Sequence, residues 1–417
     1  MTVDRRRPVA WLLLTLALAF TALTSAEPAP EAGLGPGANL EVSLYTFGPG
    51  EEVWERFGHN AIEVRDRNSG TALLYNYGIF DFAQENFFLN FARGLMTYRI
   101  AAGDTADELP VYAAEGRWVV RQQLALSPAQ RDKLATFLAW NAREENAQYR
   151  YDYFRANCST RVRDALDDAL GGAIKAQTIA PSRGFTYRMD ADRLMRPDPS
   201  IMLLIDAGLG PFADRRLSYW DESFVPTELM RHLRDIVLTD SATGATRPLV
   251  ATETRIAEAR VADPPEFAAR WTWYAIATGI AVSALLLWLA TRRRSKALRV
   301  LFALLAFLLT LACGIAGVVL AALWGLTDHV SAWRNENLLL FNPLCLLLLP
   351  AWCSAARSRW QPSAFARRVA GFIAICAAFA WFAKILPGFT QDNAFWIALL
   401  LPIQLVLAFI LRNGRRG

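Results

Sequence analysis

A cysteine and a histidine could serve as a nucleophile and its base. Cys158 is the only one of the five cysteines that lies outside the long apolar runs of the sequence. His59, one of three histidines, lies about a hundred residues upstream. A thiol that an imidazole deprotonates can attack a carbonyl carbon, so the pair predicts covalent acyl chemistry. The alternative is a small buried cysteine and a strand-end histidine with a structural hydrogen bond.

Cys158 is placed where a helix should begin. Asn157 can be the N-cap, because an asparagine side chain accepts hydrogen bonds from the first free backbone N–H groups of a helix. Apolar residues at spacings of three and four predict one buried face that starts at the thiol and includes Val162, Ala165, Leu166 and Ala169. The positive end of the helix dipole favours a thiolate, so we expect a lowered Cys158 pKa.

His59 begins a run with the alternation of a β-strand. Strand-like segments occupy residues 40–47, 59–65 and 72–78, and a glycine-containing turn joins the last two. Residues 97–100 and 117–124 could add further strands. Ser127 begins a helix that runs to about residue 143, and the helix at Cys158 ends at two glycines, 171 and 172. These elements predict an α+β domain with a small antiparallel sheet, whereas residues 175–268 contain no chemical motif.

The chain has the pattern of an exported membrane protein. Residues 1–26 resemble a signal sequence, with an uncleaved anchor as the alternative. Five later apolar runs are long enough to cross a bilayer, at residues 271–291, 298–326, 338–353, 369–386 and 395–411. Basic clusters at 292–296, 357–368 and 412–416 occupy alternate loops. The positive-inside rule therefore predicts five spans and an exported N-terminal domain.

A second polar cluster joins the second and third apolar runs, on the same side as the exported domain. His329, Asn335 and Asn337 are its candidate substrate-binding residues. Polar groups beside lipid tend to mark function, because leaving them unpaired is costly. The cluster could bind a lipid headgroup or a lipoprotein, or it could seat the exported domain. An ordinary solvated loop is the alternative.

Composition argues against several function classes. The net charge of +5 lies largely in short loops between apolar runs, where it sets orientation, so no nucleic-acid partner is expected. Three histidines fall short of a zinc set, so no metal site is expected. The sequence contains neither a glycine-rich phosphate loop nor a Gly-x-Ser-x-Gly elbow, and we expect no cofactor.

The order of these residues resembles a known family. A histidine strand followed by Asn-Cys at a helix start is similar to a circularly permuted papain-like domain of the NlpC type. Residues 40–172 resemble more closely the periplasmic domain of the Lnb family of bacterial lipoprotein N-acyltransferases. The matching stretches are LYTFGPG (44–50), FGHNA (57–61), YNYGIFDF (75–82), FARG (91–94) and YFRANCSTR (153–161).

The resemblance implies a fold, a reaction and a location. The implied fold is α+β, with a permuted papain-like domain at 27–268 (core 40–172) and an all-α transmembrane domain at 269–417. The implied reaction moves an acyl chain from a membrane phospholipid, through a Cys158 thioester, to the N-terminal amine of a diacylglyceryl lipoprotein. The implied location is the bacterial inner membrane, with the catalytic domain in the periplasm. The rivals are a membrane-anchored cysteine hydrolase of peptidoglycan peptides or phospholipid esters, and a non-enzymatic membrane sensor or assembly factor on a decayed papain-like fold.

A third catalytic group should orient His59. Asn76 and Asp81 are the candidates, because the strand that contains Asn76 should pair beside the strand of His59. We prefer Asn76 as a strand residue, with Asp81 as the alternative. Each could instead be an ordinary polar group of a turn or a strand end.

Overall fold

The computed structural model describes residues 35–240, 243–268 and 271–414. The predicted signal sequence and the basic residues Arg415 and Arg416 lie outside the described residues. Residues 35–268 form an α+β part, here called the sheet domain, and residues 271–414 form an all-α part, here called the helical domain. This division agrees with the predicted fold class.

An antiparallel sheet organises the sheet domain. Among the described residues it has seven strands, in the order β6-β4-β3-β2-β1-β5-β9. A separate hairpin pairs β7 with β8. The strands are β1 (Leu40–Phe47), β2 (His59–Asp66), β3 (Ala72–Ile79), β4 (Thr97–Asp104), β5 (Val119–Leu124), β6 (Gln148–Arg150), β7 (Val237–Thr239), β8 (Thr246–Pro248) and β9 (Val250–Ala257). The predicted strands are confirmed, and β2 begins at His59.

The strand β9 lies at one edge of the sheet, beside β5. Sequence analysis missed it, because most of its side chains are exposed and give no alternation of apolar and polar residues. It brings the end of the poorly patterned region, residues 175–268, back to the sheet. The sheet domain therefore extends beyond the predicted core at residues 40–172.

Short helices surround the sheet. They are α1 (Phe87–Arg93), α2 (Thr105–Ala114), α3 (Pro128–Asn141), α4 (Glu144–Ala147), α5 (Cys158–Ala169), α6 (Ala173–Thr178), α7 (Tyr187–Leu194), α8 (Pro199–Gly208), α9 (Tyr219–Glu222) and α10 (Pro226–Arg234), with 3-10 turns at Val53–Glu55 and Pro211–Asp214. The predicted cap of α3 is confirmed, since Ser127 and Gln130 form a capping box. The helix α5 begins at Cys158, as predicted.

The two faces of the sheet have different coverings. The buried face of α5 packs on one side, where Val162 and Leu166 join a core with Leu44, Ile62 and Tyr75. The other side of β1 and β2 is covered by α2, with Phe47, Ala61 and Tyr112 in a smaller cluster. Because side chains alternate along a strand, Asn60 and Ile62 face α5, whereas His59 and Ala61 face α2.

The helical domain contains, within the described residues, five helical segments that are long and apolar enough to cross a membrane. The third is broken, because Pro343 and Pro350 lack the N–H groups that a continuous helix needs. The α-helices are α11 (Thr272–Thr291), α12 (Lys296–Leu326), α13 (Leu349–Ser354), α14 (Ala364–Phe382) and α15 (Ala394–Asn413), with 3-10 segments at Val330–Ala332, Glu336–Leu339, Pro343–Leu348 and Ala383–Ile385. The chain is therefore a multi-pass membrane protein.

Candidate active site

Cys158 is held at the first turn of α5 by its neighbour Asn157. The Asn157 side-chain oxygen accepts hydrogen bonds from the backbone N–H groups of Ser159 (3.0 Å) and Thr160 (2.9 Å). Its amide nitrogen donates to the carbonyls of Tyr153 (3.0 Å) and Phe224 (2.8 Å). The predicted N-cap is confirmed, and its bonds on both sides of the helix start hold the thiol in place.

A glycine lets Cys158 approach the end of the sheet. Gly78, near the end of β3, has a φ of +92°, and a Cβ placed there would lie 3.3 Å from the Cys158 Cβ. Ala61 of β2 pairs with Asn76 of β3 in an antiparallel register. His59 lies two residues before Ala61 and Gly78 lies two residues after Asn76, so these two positions are opposite each other. The histidine and the thiol are therefore at the same end of the β2–β3 pair, although α5 and His59 belong to opposite faces of the sheet.

A relay of hydrogen bonds orients the His59 ring. His59 Nε2 lies 2.9 Å from Asn76 Oδ1, and Asn76 Nδ2 donates to Glu108 Oε2 over 2.5 Å. Burial raises the pKa of the Glu108 carboxyl, and the hydrogen bond from Asn76 opposes that shift. Because the Glu108 oxygen accepts from the Asn76 amide, it selects the amide orientation that turns Oδ1 toward the histidine. Nε2 must then carry the proton. Nδ1 has no hydrogen-bond partner among the described residues, so its lone pair is free to accept a proton.

Small residues make room for this relay. A Cβ at Gly103 of β4 would lie 1.9 Å from Glu108 Oε1, so the carboxylate occupies the space that a side chain would need. Asn76 pairs with Ala101, two residues before Gly103. The relay therefore depends on β2, β3, β4 and α2 together.

Aromatic rings enclose the imidazole. His59 stacks with Phe47 (centroids 5.8 Å apart) and with Tyr112 (6.1 Å). The Arg117 guanidinium lies 5.0 Å from the Tyr112 ring, and its Nε donates to the carbonyl of Gly48. His59 and Cys158 are nevertheless only half-buried, so a substrate can reach them.

Burial sets the protonation of both groups. It lowers the pKa of the His59 imidazole to about 4; the bond to Asn76 opposes this shift, and Arg117 adds to it. Burial raises the pKa of the Cys158 thiol to about 11, although backbone N–H groups of Asn60 and Ser159 favour the thiolate. The predicted lowering of the thiol pKa is wrong, because loss of water outweighs the helix end. At neutral pH the site holds a thiol and a neutral imidazole.

Replacing Asn76 with alanine tests the relay. We expect a loss in kcat/KM for any reaction of the Cys158 thiol on the order of 10- to 100-fold, smaller than the loss of a general base, because the imidazole stays but its tautomer is no longer selected. The acidic limb of the pH profile should move to lower pH, since the hydrogen bond that His59 donates to Asn76 raises the His59 pKa. Asn68→Ala, in the exposed β2–β3 turn, is the matched control. An unchanged rate and profile in Asn76→Ala would contradict the relay.

The structure brings His59 and Asn76 together but places Asp81 elsewhere. Asp81 is exposed, and its carboxylate accepts a hydrogen bond from the backbone N–H of Ala83 over 2.8 Å. This is the bonding of a turn residue. We therefore keep Asn76 as the candidate for orienting His59.

Asn335 and Asn337 of the helical domain form hydrogen bonds that hold the sheet domain in place. Asn335 Nδ2 lies 2.9 Å from the carbonyls of Ala207 and Gly208, and Asn337 Nδ2 lies 3.0 Å from that of Ala207. These carbonyls end α8, where the last turn of a helix lacks internal partners. Both asparagines are buried, so we assign them to this contact, not to substrate binding.

His329 lies in a different setting, beside a cavity at the junction of the two domains. Its ring stacks on Tyr153 with centroids 6.1 Å apart, and its Nε2 lies 2.9 Å from the Phe91 carbonyl. The cavity has a volume of about 540 Å³ and includes Arg150, Tyr151 and Arg155 in its lining. Both basic side chains are ion-paired, to Asp328 and Asp152 respectively. The cavity therefore offers charges of both signs beside the segment that leads to Cys158.

Sequence analysis missed Glu108, Tyr112 and Arg117. The first two lie on α2, whose N-cap is Asp104 and whose first turn is acidic. That start signal could have predicted the helix. The hydrogen bond from Asn76 to Glu108 spans 32 residues, so no local pattern could have predicted it.

A buried cluster of Glu222, Glu228 and His232 has metal-ligating atoms within 4.8 Å of one another. Guanidinium groups already neutralise its carboxylates: Arg183 bonds to Glu222 over 2.6 Å, and Arg193 bonds to Glu228 over 3.0 Å. Cations at these positions would repel a metal ion. We assign the cluster to the interior ion pairs of the sheet domain.

Two family models match the chain. The model described as the Lnb N-terminal periplasmic domain matches residues 36–191, and the model described as the Lnb transmembrane domain matches residues 274–416. The first covers the His59 strand and the Cys158 helix, and the second covers the five apolar segments. No curated protein and no solved structure gives a significant match.

Proposed function

The chain belongs to the Lnb family, and we propose that this lipoprotein-modifying membrane enzyme is a thiol-dependent N-acyltransferase. The donor is a membrane phospholipid, and the acceptor is the N-terminal amine of a diacylglyceryl lipoprotein. The observation that carries the proposal is the relay from Glu108 through Asn76 to His59, which presents an unprotonated Nδ1 at the sheet end where Cys158 lies. The catalytic domain lies in the periplasm, and the helical domain crosses the inner membrane.

The first half-reaction transfers the acyl group to the enzyme. The Cys158 thiol gives its proton to His59 Nδ1 while sulfur attacks the ester carbonyl carbon. The tetrahedral intermediate collapses, the carbon–oxygen bond of the ester breaks, and the imidazolium returns its proton to the leaving oxygen. A thioester on Cys158 and a lysophospholipid result. Since the thiol pKa is about 11, proton transfer accompanies the attack and does not precede it.

The second half-reaction transfers the acyl group to the lipoprotein. The neutral α-amine attacks the thioester carbon, and His59 accepts a proton from the amine. The carbon–sulfur bond breaks, the amide forms, and the thiolate recovers the proton from His59. Water in place of the amine would give a hydrolase, so exclusion of water from the thioester decides the outcome.

The start of α5 supplies a group for the oxyanion of both intermediates. Asn157 occupies the backbone N–H groups of Ser159 and Thr160. The N–H of Cys158 itself is left without a backbone partner among the described residues. A free N–H at the nucleophile is placed to donate to the developing oxyanion, where a preorganised donor is most effective.

The junction cavity is our candidate for the donor headgroup. Arg150 and Arg155 can bind a phosphate, and Asp152 and Asp328 can bind an ammonium group. His329 adds a flat ring and a titratable nitrogen at the edge of the helical domain. A headgroup bound there is beside residues 150–156, which lead directly to Cys158.

The pH dependence follows from the pKa of His59. Its pKa of about 4 lies below the ordinary 6.5, so the base is neutral and active above pH 4 and is lost as pH falls through that value. We expect kcat/KM for thioester formation to be flat between about pH 5 and 8, with an acidic limb near 4. An acidic limb near pH 6.5 would contradict the buried environment that lowers the His59 pKa. Between pH 6.5 and pH 4 the His59 side chain of the unfolded chain is protonated while that of the folded protein is not. The free energy of unfolding therefore also falls as the pH decreases through this range. Recovery of the rate when the protein is returned to pH 7 is the control.

Mass spectrometry of a lipoprotein N-terminal lipopeptide tests the function. The lipoprotein is purified from cells that lack their own N-acyltransferase, with and without this protein. A third acyl chain on the α-amine, present only with the protein, is the expected result. Diacyl lipopeptide in both samples, together with free fatty acid or cleaved peptidoglycan peptides, would replace the proposal with a hydrolase.

A further inference from the structure

The sheet domain carries an exposed aromatic patch, defined here by Phe82, Phe87, Phe88, Leu89 and Phe91. Phe88 is 73% exposed, Phe82 57%, Leu89 54% and Phe91 42%. The residues follow the end of β3 and continue through α1, so they form one contiguous surface. Contiguous apolar surface of this kind usually marks a contact with a partner or a membrane.

The rings of the patch support one another. Phe87 is the hub, with centroids 5.2 Å from Phe82, 5.4 Å from Phe88 and 6.3 Å from Phe91. These contacts between the rings hold the apolar side chains in place on the surface of the domain. The patch is therefore an organised surface.

The patch adjoins the helical domain at one end of its bundle. The Phe91 ring lies 6.4 Å from that of His329, and the carbonyl of Arg93 accepts a hydrogen bond from the backbone N–H of Asp328. Asp328 comes two residues after Leu326, which ends α12 and is 78% exposed. The patch thus continues the exposed apolar surface of a spanning helix, at the level where that helix ends.

A second row of rings leads inward from the patch. Phe80 contacts Phe82 and Phe87 on one side, with centroids 5.0 and 6.2 Å away, and Tyr98 on the other, 5.2 Å away. Tyr98 stacks on Tyr151 at 4.1 Å. Burial raises the pKa of Tyr151, and its proximity to Cys158 adds to that shift. An aromatic path therefore joins the exposed patch to the surroundings of the thiol.

We propose that the aromatic patch inserts into the outer leaflet of the membrane and is the entry through which a lipid ester reaches Cys158. Its occupant is the boundary between headgroups and acyl chains, which aromatic side chains favour. Continuity with the end of α12 places the patch at that depth. The entry role rests on the proposed acyl transfer, whereas insertion does not.

Insertion is measured by the depth of a fluorescent probe in vesicles. The full chain, with the accessible Cys158, Cys353 and Cys376 changed to alanine, carries Phe88→Cys labelled with an environment-sensitive dye. We expect blue-shifted emission and quenching by lipids with a shallow spin label, several-fold stronger than for the control Ser69→Cys at the far end of the sheet. Equal quenching of the two probes would overturn insertion. Because this protein lacks the thiol of Cys158, the result does not depend on the proposed reaction.

The entry role is measured with two donors. In an otherwise natural chain, the double variant Phe82→Ser and Phe88→Ser should lower kcat/KM on phospholipid vesicles on the order of 10-fold or more. Acylation of Cys158 by a soluble short-chain ester should stay within about twofold, which shows that the site is intact. Trp140→Ser removes another exposed aromatic of the same domain and should leave both rates unchanged. Equal losses on both donors, or no loss on vesicles, would overturn the entry role.

Discussion

Changing Cys158 to alanine is expected to abolish the proposed acyl transfer, with a loss of at least about 10³-fold. The reason is chemical: without sulfur no thioester forms, and the remaining groups cannot act as a nucleophile. The fold should persist, since the side chain is small and half-buried and the cap at Asn157 does not use the thiol. Intact-mass measurement checks both points. The natural protein incubated with phospholipid and no amine should gain one acyl mass on Cys158, and the variant should gain none.

Cys353→Ala is the matched control for this variant. Cys353 is also a free and accessible cysteine, but it lies in the helical domain at the end of the third apolar segment. Its loss should leave acylation and transfer unchanged. Full transfer by Cys158→Ala in cells would exclude the thioester route.

Changing His59 to alanine is expected to lower kcat/KM for thioester formation about 10²- to 10⁴-fold at pH 7, the usual contribution of a general base. The residual rate should then depend on the thiolate already present. The thiol pKa is near 11. While the pH is below this value, the fraction of Cys158 present as thiolate increases tenfold for each unit by which the pH is raised. A slope of one in the logarithm of rate against pH, where the natural protein is flat, is the diagnostic measurement.

His232→Ala separates this effect from loss of stability. His232 is buried, stacks on Tyr219 and bonds to Glu222 over 3.2 Å. Its loss should lower the unfolding temperature of the sheet domain but keep the flat pH profile. A flat profile in His59→Ala as well would show that His59 is not the base.

Sequence reasoning reached the elements that local patterns determine. The alternation after His59 predicted β2, and Asn157 with the spaced apolar residues predicted α5 and its cap. The preference for Asn76 over Asp81 rested on strand pairing, and the register of β2 and β3 explains why Asn76 reaches the His59 ring. Helix starts and antiparallel neighbours are local properties, so a single sequence contains them.

The parts that sequence reasoning missed depend on distant residues. Glu108 acts through Asn76 only because Gly103 leaves room for it between the strands. Burial raises the thiol pKa, and Cys158 packs against a core cluster that includes residues as distant as Val42 and Leu249, which a helix-end argument cannot include. The role of Asn335 became visible only once α8 was placed against it.

The hydrogen bonds that hold the end of α8 against the helical domain have a consequence for substrate choice. The amides of Asn335, Asn337 and Gln391 bond to the carbonyls at its end, and Trp396 donates to Asp206 over 2.7 Å. These bonds join the sheet domain to helices that cannot leave the bilayer, so the thiol has a set height above the lipid.

On the proposed reaction, an amine must come to that height to be acylated. The terminal amine of an anchored lipoprotein lies within one residue of its lipid, whereas lysine amines farther along its chain stay out of reach. Distance from the membrane can therefore select the acceptor amine without any recognition of its sequence.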